Sequence, residues 1–300
     1  MLTSMNYAGL TSHFVSTRTT RRGTITHPWK LSSPHKIVVI LKKMLLLLTL
    51  VGASVHTLGQ EGNESDEWIS LFNGHDLSNW VVKFTGHDLG NNYLNTFRVE
   101  DGILKVSYDN WSEFKGEFGH LFYNAVFSHY LLRVEYRFTG DQASNGAGWA
   151  YRNNGIMLHS QVPATMTRDQ EFPASIEVQI LGGNGRRQRP TANVCSPGTH
   201  FVMDGKLITR HCTNSGSETF HGDQWVSLEI EVRGNSLIKH RVNGVEVFTY
   251  TNPQLDENDD DARRLVDQGQ SVALSKGYIA IQAESHPTEF RKIEILPLSK

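Results

Sequence analysis

The sequence predicts an all-β fold, a sandwich of two antiparallel sheets with one sheet face buried and another open. Three observations carry that expectation. From Trp68 onward, short segments alternate apolar and polar residues, clusters of Gly, Asn, Asp and Ser separate them, and helical periodicity is nearly absent. No composition shift divides this part of the chain, and no repeat of roughly 20–50 residues points to a propeller or solenoid.

The predicted strands follow in order. Residues 96–99 and 103–107 flank Glu100-Asp101-Gly102, a sequence suited to a hairpin turn. Residues 130–139 place Leu132, Val134, Tyr136 and Phe138 on one face and Arg133, Glu135 and Arg137 on the other. Such a charged stripe reads first as a solvent face with cross-strand ion pairs. Residues 155–159 set His159 opposite Ile156 and Leu158, and residues 176–181 direct Ile176, Val178 and Ile180 one way and Glu177 and Gln179 the other. Residues 224–233, 236–242 and 245–250 are joined through Arg233-Gly234-Asn235 and Asn243-Gly244, the second being the Asn-Gly signal for a type I′ turn. In 277–284, Ile279, Ile281 and Ala283 can enter a core while Tyr278, Gln282 and Glu284 line the other face, with His286 just beyond. Residues 290–296 close the set. The best helical candidate, 259–267, opens on acids that suit a helix N-terminus and runs for one or two turns.

Three hundred residues with 38 % hydrophobic content suffice for one large domain or two modest ones. The net charge of −2 conceals an asymmetry. Seven basic residues and no acid precede Glu61, which leaves 22 basic against 31 acidic residues beyond it, a net charge near −9. That balance argues against nucleic acid as a partner. The apolar run Met44-Leu45-Leu46-Leu47-Leu48-Thr49-Leu50-Val51-Gly52-Ala53 follows Lys42-Lys43 and precedes small and polar residues. It is about half the roughly 20 residues of a membrane-spanning helix, so 44–59 reads as a secretory signal peptide, against the alternative of a buried core segment. Residues 1–43 read as a mis-assigned start or an unfolded leader, and export to a periplasmic or extracellular location is expected. In that setting Cys195 and Cys212, the only cysteines, are expected to form one disulfide, with free thiols as the alternative.

Several chemistries find no motif. There is no GxSxG elbow, no GxxxxGK[ST] loop, no GxGxxG after a strand and no HExxH helix. The acids at 256–261 lack the glycine and spacing of an EF-hand and read as a solvated loop. His200 and His211 lie near the cysteines without the spacing of a zinc site. What remains is a set of polar strand residues: Arg133, Glu135, Arg137, His159, Glu177, Gln179, Gln282 and Glu284. Acids, amides, guanidinium groups and an imidazole can together supply a base, an acid and groups that hold an anion, or simply recognise sugar hydroxyls. His159 reads equally as a hydrogen-bonded strand residue. Glu177 and Gln179 stand out because their surroundings are strongly apolar and Gly182-Gly183 follows, where a ligand can approach.

The opening Trp68-Ile69-Ser70-Leu71-Phe72-Asn73-Gly74-His75-Asp76-Leu77-Ser78-Asn79-Trp80, the middle Asn154-Gly155-Ile156 and Ile176-Glu177-Val178-Gln179, and the closing segment 277–296 together resemble the 3-keto-disaccharide hydrolase domain family. The resemblance spans about residues 67–298. It implies a concanavalin A-like, jelly-roll sandwich in an exported bacterial protein, and hydrolysis of a glycosidic bond in a sugar already oxidised to a ketone at C3. The ketone acidifies the C2 proton, so a base can remove it, the enolate can expel the C1 substituent, and water can add back. On this expectation Glu177 is the base and His159 the acid or a metal ligand. Gln179, Gln282, Arg137 and Arg152 orient hydroxyls or stabilise charge, with Glu284 and His286 beside them at the substrate. No cofactor is certain; a divalent ion can polarise the ketone, although its ligands are not placed. Two other readings stay open: a non-catalytic carbohydrate-binding module, and a retaining glycosidase of the laminarinase type, for which Gln179 stands where the next acid is required. The region from Cys195 to His221 reads as an elaboration of only part of the family.

Overall fold

A computed structural model describes residues 67–299; the segments 1–43 and 44–59, read above as leader and signal peptide, lie outside the described residues. In chain order the strands are β1 (Ile69–Ser70), β2 (Trp80–Phe84), β3 (Phe97–Glu100), β4 (Ile103–Val106), β5 (Gly119–Phe127), β6 (His129–Phe138), β7 (Asn153–Ser160) and β8 (Ile176–Leu181). They continue as β9 (Asn193–Cys195), β10 (Thr199–Met203), β11 (Lys206–Ile208), β12 (Cys212–Thr213), β13 (Val226–Arg233), β14 (Leu237–Val242) and β15 (Val245–Leu255). The helix α1 (Asp260–Asp267) then precedes β16 (Gly277–Ala283) and β17 (Thr288–Pro297).

Two antiparallel sheets result, as the alternation predicts. One has ten strands in the order β11-β10-β15-β14-β13-β6-β17-β4-β3, with β1 added beside β17; the other has seven in the order β12-β9-β8-β7-β16-β5-β2. The fold is a concanavalin A-like, jelly-roll sandwich. Its core draws Leu104, Leu132, Ile230 and Phe290 from the larger sheet and Leu121, Ile156, Val178 and Ile281 from the smaller. Each is at most 1 % exposed, and burying such a side chain contributes about 1.5–3 kcal/mol. The hairpin between β14 and β15 turns on Asn243-Gly244, both at positive φ (48° and 83°), as a type I′ turn requires. Asp259 caps α1 by accepting from the backbone N–H of Asp261 and Ala262, so one of the acids at 256–261 is a structural cap.

The charged stripe of β6 faces outward. Arg133 reaches Glu229 at 3.0 Å, Arg137 reaches Glu289 at 2.6 Å, and Arg291 pairs with Glu135. Arg137 also lies over the Trp225 ring at 4.6 Å. These pairs lock neighbouring strands of the larger sheet and contribute little individually. Arg137 is therefore spent on the outer face of the ten-stranded sheet, which corrects its assignment to the substrate.

Cys195 and Cys212 stand directly opposite each other across β9 and β12 and are joined by a disulfide at a sequence separation of 17. Replacing both with Ala should lower the unfolding free energy by about 3 kcal/mol, the loop-closure contribution for a loop of this length. Urea denaturation reads this directly, and an unchanged midpoint would show that the bond closes an already ordered loop.

Candidate active site

The outer face of the seven-stranded sheet carries an unusual density of polar side chains. The register sets Lys83 opposite His120, His120 opposite Gln282, Gly155 opposite Gln179 and Gln179 opposite Asn193. Because Ile281 pairs with Ile156, Gln282 and Gly155 are neighbours and the row runs unbroken across the sheet. The next row brings Met157, Glu177 and Cys195 together. Glu284 follows immediately on the end of β16, so two acids from distant parts of the chain meet over one surface.

Glycine decides where Glu177 lies. A Cβ on Gly155 would come within 2.5 Å of Glu177 Oε1, so the carboxyl rests on the bare backbone of β7, where any larger residue would displace it. Glu177 and Glu284 line a cleft of about 620 Å³ and are only 5 % and 3 % exposed. Burial pushes the Glu177 carboxyl up to about 8. Glu284 is held well above the usual carboxylate range, by burial first and then by the neighbouring Glu177. The pair therefore sits mostly protonated at neutral pH.

Around the pair, buried polar atoms lack partners. Both ring nitrogens of His120 and His286, both amide atoms of Gln282, and Glu284 Oε2 accept or donate no hydrogen bond to the described residues. Leaving such groups unpaired costs about 1–3 kcal/mol each; of these residues Glu284 lines the cleft, while the two histidines and Gln282 are fully buried. Burial depresses both histidines to about 3, and both are neutral. Aromatic side chains close over them. Phe172 lies 5.9 Å from the His120 ring and 4.7 Å from Phe118, and Trp149 stacks on Phe118 at 6.1 Å. The predicted elaboration also lines the cleft, through Cys195, His211 and Cys212. These three also bring potential metal-ligand atoms within 4.8 Å of one another, but the disulfide consumes both sulfurs and leaves His211 alone.

The residues expected at the site divide. Glu177, Gln179 and Glu284 line the cleft, and Asn193 Nδ2 donates to Gln179 Oε1 at 3.0 Å. Gln282 and His286 are fully buried, Gln282 in the polar row and His286 beside the Tyr151 ring at 5.0 Å. Arg152 is committed to Asp223 and the Gly222 carbonyl. His159 does not share the face of Glu177. Its backbone adopts φ +48°, which breaks strand alternation, and its Nε2 lies 2.9 Å from the carbonyl oxygen of Gly234, in the turn between β13 and β14 of the other sheet. Neither an acid nor a metal-ligand role at the cleft fits that position. His120 and Arg189 were not among the expected residues; the first sits on β5 and the second on the loop after β8.

The raised Glu177 carboxyl has a consequence for stability. Its value exceeds the ordinary 4.5, so the folded state retains a proton that the unfolded chain releases, and the contribution is fully present below about 4.5 and lost as pH rises through about 8. Unfolding free energy should fall by a few kcal/mol, in order of magnitude, between pH 5 and 8. Glu177→Gln should flatten that slope in denaturant titrations, and an equally steep slope in the variant would assign it to other groups.

The family described as the 3-keto-alpha-glucoside-1,2-lyase-like domain matches residues 67–296. The chain belongs to this family. Membership places it among carbohydrate-active domains. Among solved structures, a "putative glycosyl hydrolase" from Parabacteroides distasonis is similar at 16 % identity and a TM-score of 0.45, covering 80 % of this chain and 97 % of that one. A β-glucanase from Bacillus licheniformis is similar at 11 % identity and a TM-score of 0.42, covering 77 % and 98 %. The carbohydrate-binding module CBM66 from Bacillus subtilis is similar at 11 % identity and a TM-score of 0.34, covering 61 % and 88 %. No curated protein matches the chain.

Proposed function

We propose that this protein cleaves glycosides whose sugar carries a ketone at C3, by elimination across C1 and C2 followed by hydration. The observation that supports it best is the pair of buried carboxyls, Glu177 and Glu284, held protonated beside one another on a polar sheet face. Glu177, with the nearer-neutral value, ionises first and serves as the base; Glu284 keeps its proton and serves as the acid. Glu177 removes the C2 proton, and the electron pair of that C–H bond forms the enolate. The enolate then expels the C1 oxygen substituent, which takes the proton of Glu284. The alcohol leaves, and water adding across the C1–C2 double bond gives the free 3-keto sugar. The polar side chains that line the cleft beside Glu177, among them Asn153, Gln179 and Glu284, offer donors and acceptors suited to the hydroxyls and carbonyl of an oxidised pyranose.

Export to the periplasm or the cell exterior belongs to the same reading, since a disulfide persists where thiols are not kept reduced. Turnover of a 3-keto-disaccharide and of its unmodified parent, beside a binding titration, tests the reaction. Cleavage is expected for the ketone alone, with kcat/KM rising as pH approaches about 8, where Glu177 ionises. Binding without turnover would favour a binding module, and cleavage of the unmodified sugar a retaining glycosidase.

A further inference from the structure

We infer that the cleft carries an anion-recognition subsite, formed by Arg187 and Arg189 beside Trp149, which accepts a leaving group bearing a carboxylate. The inference rests on the reading that this cleft cleaves glycosides, and names the class of group that departs. Arg189 lines the cleft and is 6 % exposed. Its Nη1 donates to the Gly182 carbonyl at 2.6 Å and its Nη2 to the Trp149 carbonyl at 3.4 Å, which commits two of the five N–H groups of a guanidinium. Among the described residues no carboxylate pairs with it. Elsewhere among the described residues most arginines are paired: Arg133, Arg137, Arg152 and Arg241 all meet acids. A buried cation without a counter-charge is expensive, and a site that keeps one is arranged for an anion that arrives with the ligand.

Arg187 repeats the pattern at the rim. It lines the same cleft, is exposed, and its guanidinium has no ion pair or hydrogen bond among the described residues. Trp149 adds a flat surface, 54 % exposed and backed by Phe118, and its carbonyl is tied to Arg189. An exposed indole and two guanidinium groups lining one cleft suit a ring with an attached carboxylate, stacked on the first and paired with the others. Burial assigns the group. Glu177 and Glu284 are buried on the sheet and Arg187 is exposed, so the ring under attack belongs with the acids and the substituent at C1 extends toward Arg187.

The test compares the 3-keto-glucosides of 4-hydroxybenzoate and of its methyl ester, and 3-keto-disaccharides with a uronate or a neutral sugar as leaving group. Higher kcat/KM for the charged member, by about 10-fold at low salt, is expected in at least one pair. A preference in the aryl pair alone marks an aromatic carboxylate; one in the sugar pair alone marks a uronate. Arg187→Gln should bring the ratio near one, as should high salt. Equal rates for both members of both pairs would overturn the inference. So would Arg187→Gln lowering charged and neutral substrates alike, since the arginine would then act on the reaction itself. Should neither member be cleaved, the proposed reaction fails, and direct titration with 4-hydroxybenzoate and glucuronate still decides the subsite. Arg187-dependent, salt-sensitive binding would support it, and no binding would remove it.

Discussion

Glu177→Gln is expected to lower turnover of a 3-keto-disaccharide by about 10²–10⁴-fold, the range that a positioned general base contributes. The amide keeps the shape and hydrogen-bonding capacity of the side chain and loses its basicity, so substrate binding should survive. Because the carboxyl is buried and uncharged in the resting protein, the substitution also introduces no new unpaired charge, and the variant should fold. Glu284 provides the control that separates roles. Glu284→Gln should slow glycosides with poor leaving groups far more than those with acidic phenols, whose departing oxygen needs no proton. An unchanged rate in folded Glu177→Gln would remove this residue from the chemistry. Equal losses in binding and rate would make it a residue that positions the sugar.

Strand alternation made much of this surface legible in the sequence, and the exceptions have local causes. Ile176, Val178 and Ile180 enter the core, as do Ile279, Ile281 and Ala283, which is why Glu177, Gln179 and Gln282 fall on the face anticipated for them. His159 has the same sequence signature as these residues. A single positive φ turns it to the other side, and no side-chain pattern announces that break. His120 escaped notice for a different reason. The first half of β5 is buried on both faces, one against the core and one beneath the aromatic cover, so the period-two contrast that reveals a strand is missing there. β7 is buried throughout as well, so its two faces show no such contrast either. Arg137 follows the alternation faithfully, but alternation assigns a face of a strand, and only the order of strands reveals which sheet that face belongs to. Arg189 lies on a loop, where no periodicity operates, and its significance comes from a partner that is missing along the whole described chain.

Gly155→Ala should leave the fold intact and reduce turnover by about 10- to 100-fold. The added methyl would approach Glu177 Oε1, Cγ and Cδ at 2.5, 2.7 and 2.8 Å, closer than real contacts allow, so the carboxyl has to move. The colliding atoms belong to the flexible end of a side chain on the next strand, and the backbone pairing of Gly155 with Gln179 need not change. Stability should therefore shift by less than about 1.5 kcal/mol. Catalysis is less tolerant. Displacing a reacting group by an ångström can cost about 10²-fold, because proton transfer depends on reach and direction. The variant retains Glu177 with its basicity, so a loss of rate with unchanged binding would implicate the position of this carboxyl independently of its protonation. A shift in the pH dependence of kcat/KM should accompany the loss, since moving the carboxyl also changes its separation from Glu284, which holds the pair's protons together. Full activity in a folded Gly155→Ala would show that the base does not lie where it rests on β7.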